Sequence, residues 1–300
     1  MAGPIPFVRD MEFAYGEAQQ VSPLIRRLVA NNPSPFTFRG TGVYIIGRGE
    51  VAVIDPGPND ARHIEDILRA VDGERVTHIF VTHGHSDHSP AAHPLAQRTG
   101  AKVYASALPV RESETAVRLE ADDDTSFRPD APAADGDRFT GPGWTIEAVA
   151  TPGHTSNHTA YALIEENALF SGDHVMGWST TVISPPDGDM DDYLASLEKV
   201  RDRDYETLWP THGPPIRDVR PFVQAYIDHR LAREAQIVAR LKAGDTRIPD
   251  MVAVMYADVD ARLHPAACHS VLAHMVRLVK RGLVTADGEL SVAGEYALKH

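Results

Sequence analysis

The chain reads as an α/β protein, with two strand-rich halves packed as a sandwich, helices outside, and a small helical module ending in a β-hairpin. Three observations carry this reading. Short apolar, β-rich runs alternate with amphipathic helical patterns through residues 1–218, as expected of sheets covered by helices. From residue 219 to 300 the texture changes to three helical patterns and a hairpin. A hydrophobic content of 43% over 300 residues suffices to bury one large core with a smaller one beside it.

The elements follow in order. Val43-Tyr-Ile-Ile46 and Val51-Ala-Val-Ile54 form a hairpin joined by Gly-Arg-Gly. Ala61 to Val71 reads as a helix. Thr77 to Thr82 is a buried strand. A helix opening at Pro90 runs to Arg98 and is ended by Gly100. Lys102 to Ser106 is a strand. Glu120 to Asp137 is acidic and proline-bearing and reads as a solvated loop, since it lacks the closing Glu of an EF-hand calcium loop. Thr145 to Ala150 is strand-like, and Tyr161–Ile164 pairs with Asn167–Phe170 across Glu165-Glu166. Tyr193 to Arg201 is a helix, and Leu208-Trp-Pro ends a further strand. Arg220 to Lys242 is a long amphipathic helix closed by Gly244, followed by helices near Pro249–Asp258 and Pro265–Arg281. Gly282 to Val292 is a hairpin with Asp287-Gly288 at its tip. Three helices and a hairpin is the order of a winged-helix module.

The run Val81-Thr-His-Gly-His-Ser-Asp-His-Ser89 places four metal-ligand side chains, His83, His85, Asp87 and His88, within six residues at the end of a strand. There the alternation of side chains breaks down, so His83 and His85 can face one point while Asp87 and His88 face another. One catalytic zinc takes about three protein ligands and keeps an open position. Four therefore suggest two ions. Further ligands stand downstream in a repeated arrangement of apolar strand, small residue or turn, then ligand: His154 in Thr151-Pro-Gly-His-Thr155, Asp173 after Ala168-Leu-Phe-Ser-Gly172, and His212 in Leu208-Trp-Pro-Thr-His-Gly213. No folding argument asks for these types at four strand ends.

His-x-His-x-Asp-His followed by His, Asp and His resembles the metallo-β-lactamase superfamily. Within it the chain is most similar to the β-lactamase-like protein 2 group, and less so to the glyoxalase II and RNase Z groups. Asn32–Thr41, Val53-Ile-Asp-Pro-Gly57, Thr151–Thr155 and Thr211–Ile216 carry the same likeness, which extends over about residues 20–300. Ser89-Pro90 departs from the glycine pair of many members, which leaves the ligands untouched and shifts the start of the following helix. The resemblance implies a four-layer αββα sandwich with the metals in a groove between sheet edges, and a winged-helix-like tail. It assigns His83, His85 and His154 to one ion, Asp87, His88 and His212 to a second, and Asp173 to both. The cofactors expected are two zinc ions, with manganese or iron as alternatives. A bridging hydroxide would then be the nucleophile, with Asp87, Asp173 and His154 the residues on which the reaction depends. His85 stands where oxygen-reducing diiron relatives carry a carboxylate, and Asp173 fits the thioesterase and phosphodiesterase branches better than zinc β-lactamases. The implied activities are hydrolysis of phosphodiesters in single-stranded RNA or, alternatively, of a small acyl thioester such as an acyl-glutathione.

Other residues bound these readings. A lone histidine is more often a surface or satisfied core residue than a ligand; His63, His78, His93, His229, His264, His269, His274 and His300 are read that way. His158 and His174 are candidates to orient a ligand or face the substrate. In the superfamily Asp55 would orient a ligand histidine. From Asp218 onward there are eleven Lys and Arg against ten Asp and Glu, so the net charge of −13 belongs to the first part of the chain and opposes attraction of a polyanion. Arg277, Lys280 and Arg281 cluster at a helix end, where they could meet phosphate or simply favour the helix terminus. No stable DNA binding is expected. The single cysteine, Cys268, excludes an intrachain disulfide and fits a reducing compartment. No signal-peptide pattern follows Met1, and no apolar run nears the roughly 18 residues of a membrane span. The expectation is a cytoplasmic protein without membrane contact, of open oligomeric state.

Overall fold

The computed structural model describes residues 4–108, 124 and 126–299. Residues 109–123 and 125, which include the start of the acidic segment read as a loop, lie outside them. A seven-stranded sheet runs in chain order: β1 (Gln19–Gln20), β2 (Ile25–Val29), β3 (Gly42–Arg48), β4 (Glu50–Ile54), β5 (Arg75–Phe80), β6 (Lys102–Ala105) and β7 (Ala131–Pro132). It is antiparallel as far as β4 and parallel beyond, and α1 (Ala61–Ala70) and α2 (Ala92–Thr99) supply the crossovers that parallel pairing needs. The second sheet has the order β12 (Thr207–Pro210), β11 (Ala168–Gly172), β10 (Thr159–Leu163), β9 (Trp144–Ala150), β8 (Arg138–Gly141). Its β11–β12 pair is parallel, joined through α3 (Met190–Asp202).

Strand alternation sets the layers. Tyr44 and Ile46 of β3 and Ala52 and Ile54 of β4 face the second sheet, meeting Trp144, Ile146, Tyr161 and Phe170 in an apolar seam. The residues between them, Val43, Ile45, Val51 and Val53, face the other way and bury Ile67 of α1 and Leu95 of α2. On the far side of the second sheet Val149, Ala160 and Leu169 pack against Leu194 and Leu197 of α3 and Phe222 and Val223 of α4 (Val219–Lys242). The result is a four-layer αββα sandwich. Among the described residues no helix is long and apolar enough to cross a membrane.

The tail comprises α4, α5 (Ile248–Met255), α6 (His264–Lys280) and a hairpin of β13 (Val284–Asp287) and β14 (Glu295–Leu298). Helix α4 serves two cores: Phe222, Val223, Tyr226 and Ile227 belong to the sandwich, whereas Ile237 and Leu241 join Met251, Val271, Met275 and Tyr296 in a separate one.

Among the expected boundaries that move, two have a direct physical cause. The helix read from Pro90 starts at Ala92, because His88 N–H and Ser89 N–H both donate to His85 C=O and Ala91 N–H donates to Gly57 C=O, holding the ligand loop in a turn. The final hairpin is wider than Gly282–Val292. Asp287 pairs with Glu295, so its tip runs over 288–294. Burial of Tyr296 sets that register, and its hydroxyl closes the tip by donating to Ser291 C=O (2.7 Å) and accepting from Ser291 N–H (3.1 Å).

Two of the cations at the end of α6 are held by carboxylates of α3, its cap and α4. Arg277, only 6% exposed, donates to Asp191 at the start of α3 (2.7 Å) and to Glu234 of α4, and Lys280 meets Asp189, the residue capping α3. Burial raises the Glu234 carboxyl, but the nearby His274 ring, 3.8 Å away, and the hydrogen bond from Arg277 outweigh it and bring it down to about 2. Arg277→Met should lower stability by about 2 kcal/mol, read by urea denaturation, since it removes the charged hydrogen-bond partner of the partly buried Glu234 carboxylate. The folded pKa of Glu234 lies below its ordinary 4.5, so its contribution is whole above that pH and is lost as pH falls through about 2. The melting-temperature gap between the wild type and Glu234→Gln should close over that window.

Candidate metal centre

Four loops deliver the site, each at the C-terminal end of a strand: after β5 (His83, His85, Asp87, His88), after β9 (His154), after β11 (Asp173) and after β12 (His212). Glycine is needed at two of them by close approach. Gly153 has φ 138°, and a Cβ there would lie 2.3 Å from the Tyr193 backbone; Gly172 has φ 55°, and a Cβ would lie 2.5 Å from His158 Nε2. The tight turn that presents each ligand is therefore also a packing contact.

All seven residues named from the sequence converge. His83 Nε2 is 2.9 Å from His85 Nδ1, which is 3.3 Å from His154 Nε2. His212 Nε2 is 3.0 Å from Asp87 Oδ2, and His88 Nε2 is 3.5 Å from the same oxygen. Asp173 lies between the groups, with Oδ1 3.5 Å from His212 Nε2 and Oδ2 3.6 Å from His88 Nε2. Three sets of potential ligand atoms lie within 4.8 Å of one another: His83, His85 and His154; His83, His88 and Asp173; and Asp87, His88 and His212.

The surroundings fix how each side chain points. Asp55 is fully buried, with φ 47°, directly after β4. It accepts from Thr82 N–H (2.8 Å), Thr82 Oγ1 (2.9 Å), Thr211 Oγ1 (2.8 Å) and His88 Nδ1 (2.9 Å). His154 Nδ1 donates to Val182 C=O (2.8 Å) and His212 Nδ1 to Gly40 C=O (3.2 Å), which turns Nε2 of each into the site. Asp173 N–H donates to His158 Nε2 (3.2 Å), so His158 carries its proton on Nδ1 and donates it to Thr151 Oγ1 (2.8 Å). His158 thus holds the Asp173 backbone. His174 packs edge-on against Tyr193.

Electrostatics divide the site in two. Burial and the neighbouring imidazoles push His83 and His85 down, His85 to about 3, so both are neutral lone-pair donors. Burial raises Asp87 and Asp173, but His88 and His212 outweigh it and hold both carboxyls below their ordinary range. Burial lowers His88 and His212, and the two carboxylates more than reverse this. The acidic half attracts a cation. His88 Nε2 and Asp173 Oδ1 are buried and make no hydrogen bond. Such atoms need a partner, and divalent ions with nitrogen and oxygen ligands would satisfy them together.

The centre opens on a cavity of about 440 Å³. His85, Asp87, Asp173 and His212 form one part of its lining, and Trp178, Thr181 and Val182 of the loop after β11 another. Helices of the tail complete it through His229, Arg230 and Arg233 of α4, with Tyr256 and Leu263 beyond α5. The sequence reading missed the α4 residues, and it placed His229 among ordinary histidines. Their only trace is the i, i+3 and i, i+4 spacing of one helix face.

Clusters of His and Asp fit to hold metal ions, set at the sheet edges of an αββα sandwich, define a class of metal-dependent hydrolase. The family model of the metallo-β-lactamase superfamily matches residues 37–212, and that of the β-lactamase-associated winged helix domain matches residues 248–293. The chain belongs to the metallo-β-lactamase superfamily and is a metal-dependent hydrolase. It is 32% identical over 271 residues to the β-lactamase-like protein 2 homolog of Caenorhabditis elegans, covering 89% of this chain and 88% of that one. It is also 30% identical over 233 residues to an atrochrysone carboxyl ACP thioesterase of Aspergillus fumigatus, covering 75% of this chain and 67% of that one. A β-lactamase domain protein from Burkholderia ambifaria shares the fold with a TM-score of 0.78 at 21% identity, over 97% of this chain and 96% of that one.

Asp55→Ala should lower metal affinity by about 10–100-fold while the fold survives. Competition with a chromogenic chelator, alongside circular dichroism, reads both; unchanged affinity would remove Asp55 from the metal centre.

Proposed function

We propose that the chain is a dinuclear zinc hydrolase acting on an acyl thioester rather than on single-stranded RNA. His83, His85 and His154 would hold one ion, Asp87, His88 and His212 the other, with Asp173 shared between them. The observation that carries the two-ion reading is the pair of ligand sets on either side of Asp173, with the buried, unbonded His88 Nε2 and Asp173 Oδ1 between them. Such ions, zinc or alternatively manganese or iron, supply Lewis acidity at the scissile carbonyl and water that ionises near neutral pH.

The chain's own residues do the rest. Asp55, Val182 C=O and Gly40 C=O fix the ring orientations and tautomers of His88, His154 and His212. His158 and Thr181 fix the Asp173 backbone, the first by accepting from its N–H and the second by donating to its C=O (2.8 Å). Met176, Trp178 and Val182 give the cavity apolar walls that seat an acyl group and exclude bulk water. Overall, the oxygen of water becomes bonded to the acyl carbon, the carbon–sulfur bond breaks, and the thiol leaves with a proton.

Two observations favour a thioester over RNA. In the α6 cation cluster that could have met phosphate, Arg277 and Lys280 are paired with Asp189, Asp191 and Glu234, and a chain of net charge −13 offers a polyanion little attraction. The likeness to proteins described as acyl carrier protein thioesterases points the same way. The test is turnover by zinc-loaded protein on an acyl-glutathione and on a short single-stranded RNA. Thioester hydrolysis should fall to the uncatalysed background in Asp87→Ala and in Asp173→Ala, with bound zinc dropping below two per chain. RNA cleavage that vanishes in Asp173→Ala, without thioester turnover, would replace the thioester reading.

A further inference from the structure

We propose that the α4 side of the cavity is an oxyanion subsite, in which Arg233 and Arg230 hold a carboxylate or phosphate that the substrate carries away from the bond being cut. The proposal rests on the hydrolase reading for the use of the cavity and adds a substrate class to it: an acyl thioester with an apolar body and an anionic group.

Arg230 and Arg233 stand three residues apart on one side of α4 and line the same cavity as Asp87, Asp173 and His212. Arg230 is 3% exposed, donates to Thr181 C=O, and lies 5.2 Å over the Tyr193 ring. Arg233 donates to Gln236 Oε1 (2.9 Å) and Met255 C=O (3.2 Å) and lies 4.3 Å over the Tyr256 ring. Every one of these partners is neutral. Nε of each guanidinium is buried without a hydrogen-bond partner.

Among the described residues neither arginine forms an ion pair with a carboxylate. The contrast lies close by: Arg277, as buried as Arg230, has Asp191 and Glu234. In a chain with 42 acidic side chains against 29 basic ones, carboxylates are not scarce. A guanidinium held out of water without a counter-charge is costly, and two on one cavity wall make a place where an incoming oxyanion offsets that cost. The planar fork suits carboxylate or phosphate. His229, on the same wall, is pushed down to about 3 by burial and by Arg230 and Arg233, so it adds no competing charge. Apolar side chains, including Phe7, Met176, Trp178, Val259 and Leu263, make up much of the remaining lining and would seat the body of the substrate.

Arg233 is the residue to change, because Arg230 also supports Thr181 beside the metal centre. The test is calorimetric titration of zinc-loaded protein with three non-hydrolysable thioethers: (benzylthio)butanoate, its primary amide, and the corresponding alkyl phosphate. The wild type should bind an anionic probe at least about tenfold more tightly than the amide. Arg233→Met should erase that preference while amide affinity and zinc content stay unchanged, and Arg233→Lys should keep part of it. The tighter of the two anionic probes identifies the group recognised.

Equal binding of the three probes, no binding of any, or a preference that survives in Arg233→Met would overturn the subsite. Turnover of the matching thioesters is measured in parallel. Anion preference without any turnover would reject the thioesterase reading and keep the subsite; turnover without anion preference would reject the subsite alone.

Discussion

Asp55 accepts four hydrogen bonds in the dry seam where the two sheets meet, and three strand ends are tied together by them. One oxygen takes Thr82 N–H; the other takes the hydroxyls of Thr82 and Thr211 and His88 Nδ1. Thr82 and Thr211 each immediately precede a residue of the centre, His83 and His212. A carboxylate in this position ties the loop after β5 to the loop after β12, which belong to different sheets. The backbone is held at φ 47° to place it there, a conformation a side chain adopts only at a cost of about 1–3 kcal/mol. That strain persists because the surrounding hydrogen bonds over-determine it. The centre is thus preorganised from the sheet seam outward.

The second organising element is α4. Its first half is sandwich core and its second half tail core, so the cavity wall it carries cannot shift independently of the metal loops. The tail spends its cations in distinct ways. Arg277 and Lys280 tie α6 to the start of α3, while Arg230 and Arg233 face the cavity with neutral partners. Their different environments, rather than the nearly neutral net charge of the tail, show what each cation does.

The convergence of the seven His and Asp residues was legible because side chains of those types at four strand ends serve no packing purpose. The layers were legible for a similar reason: the period-two split of Val43 and Ile45 from Tyr44 and Ile46 is visible in the letters. Other features depend on distances that letters do not carry. His158 looked able either to orient a ligand or to face the substrate, and only the approach of Asp173 N–H to its Nε2 makes it a backbone support. The α6 cations looked free, and only the fold brings Asp189, Asp191 and Glu234 to them. His229, Arg230 and Arg233 resemble any polar helix face until the cavity is seen beside them. The threonines at 82, 151 and 211 were an overlooked signal, since each stands at the threshold of a ligand-bearing turn.

Helix α4 also bears on how relatives of this architecture could diverge or be recombined. The metal loops all grow from strand ends of the sandwich, whereas more than a third of the pocket lining comes from a segment with a core of its own. Exchange of that segment between chains would alter which molecules are admitted and leave the reaction centre intact, but the seam between the parts falls inside a continuous helix of 24 residues. A viable chimera would have to join helix to helix in phase, between Arg230 and Ile237. An insertion of one residue there would turn the downstream face by about 100° and pull the tail off its seat on α3.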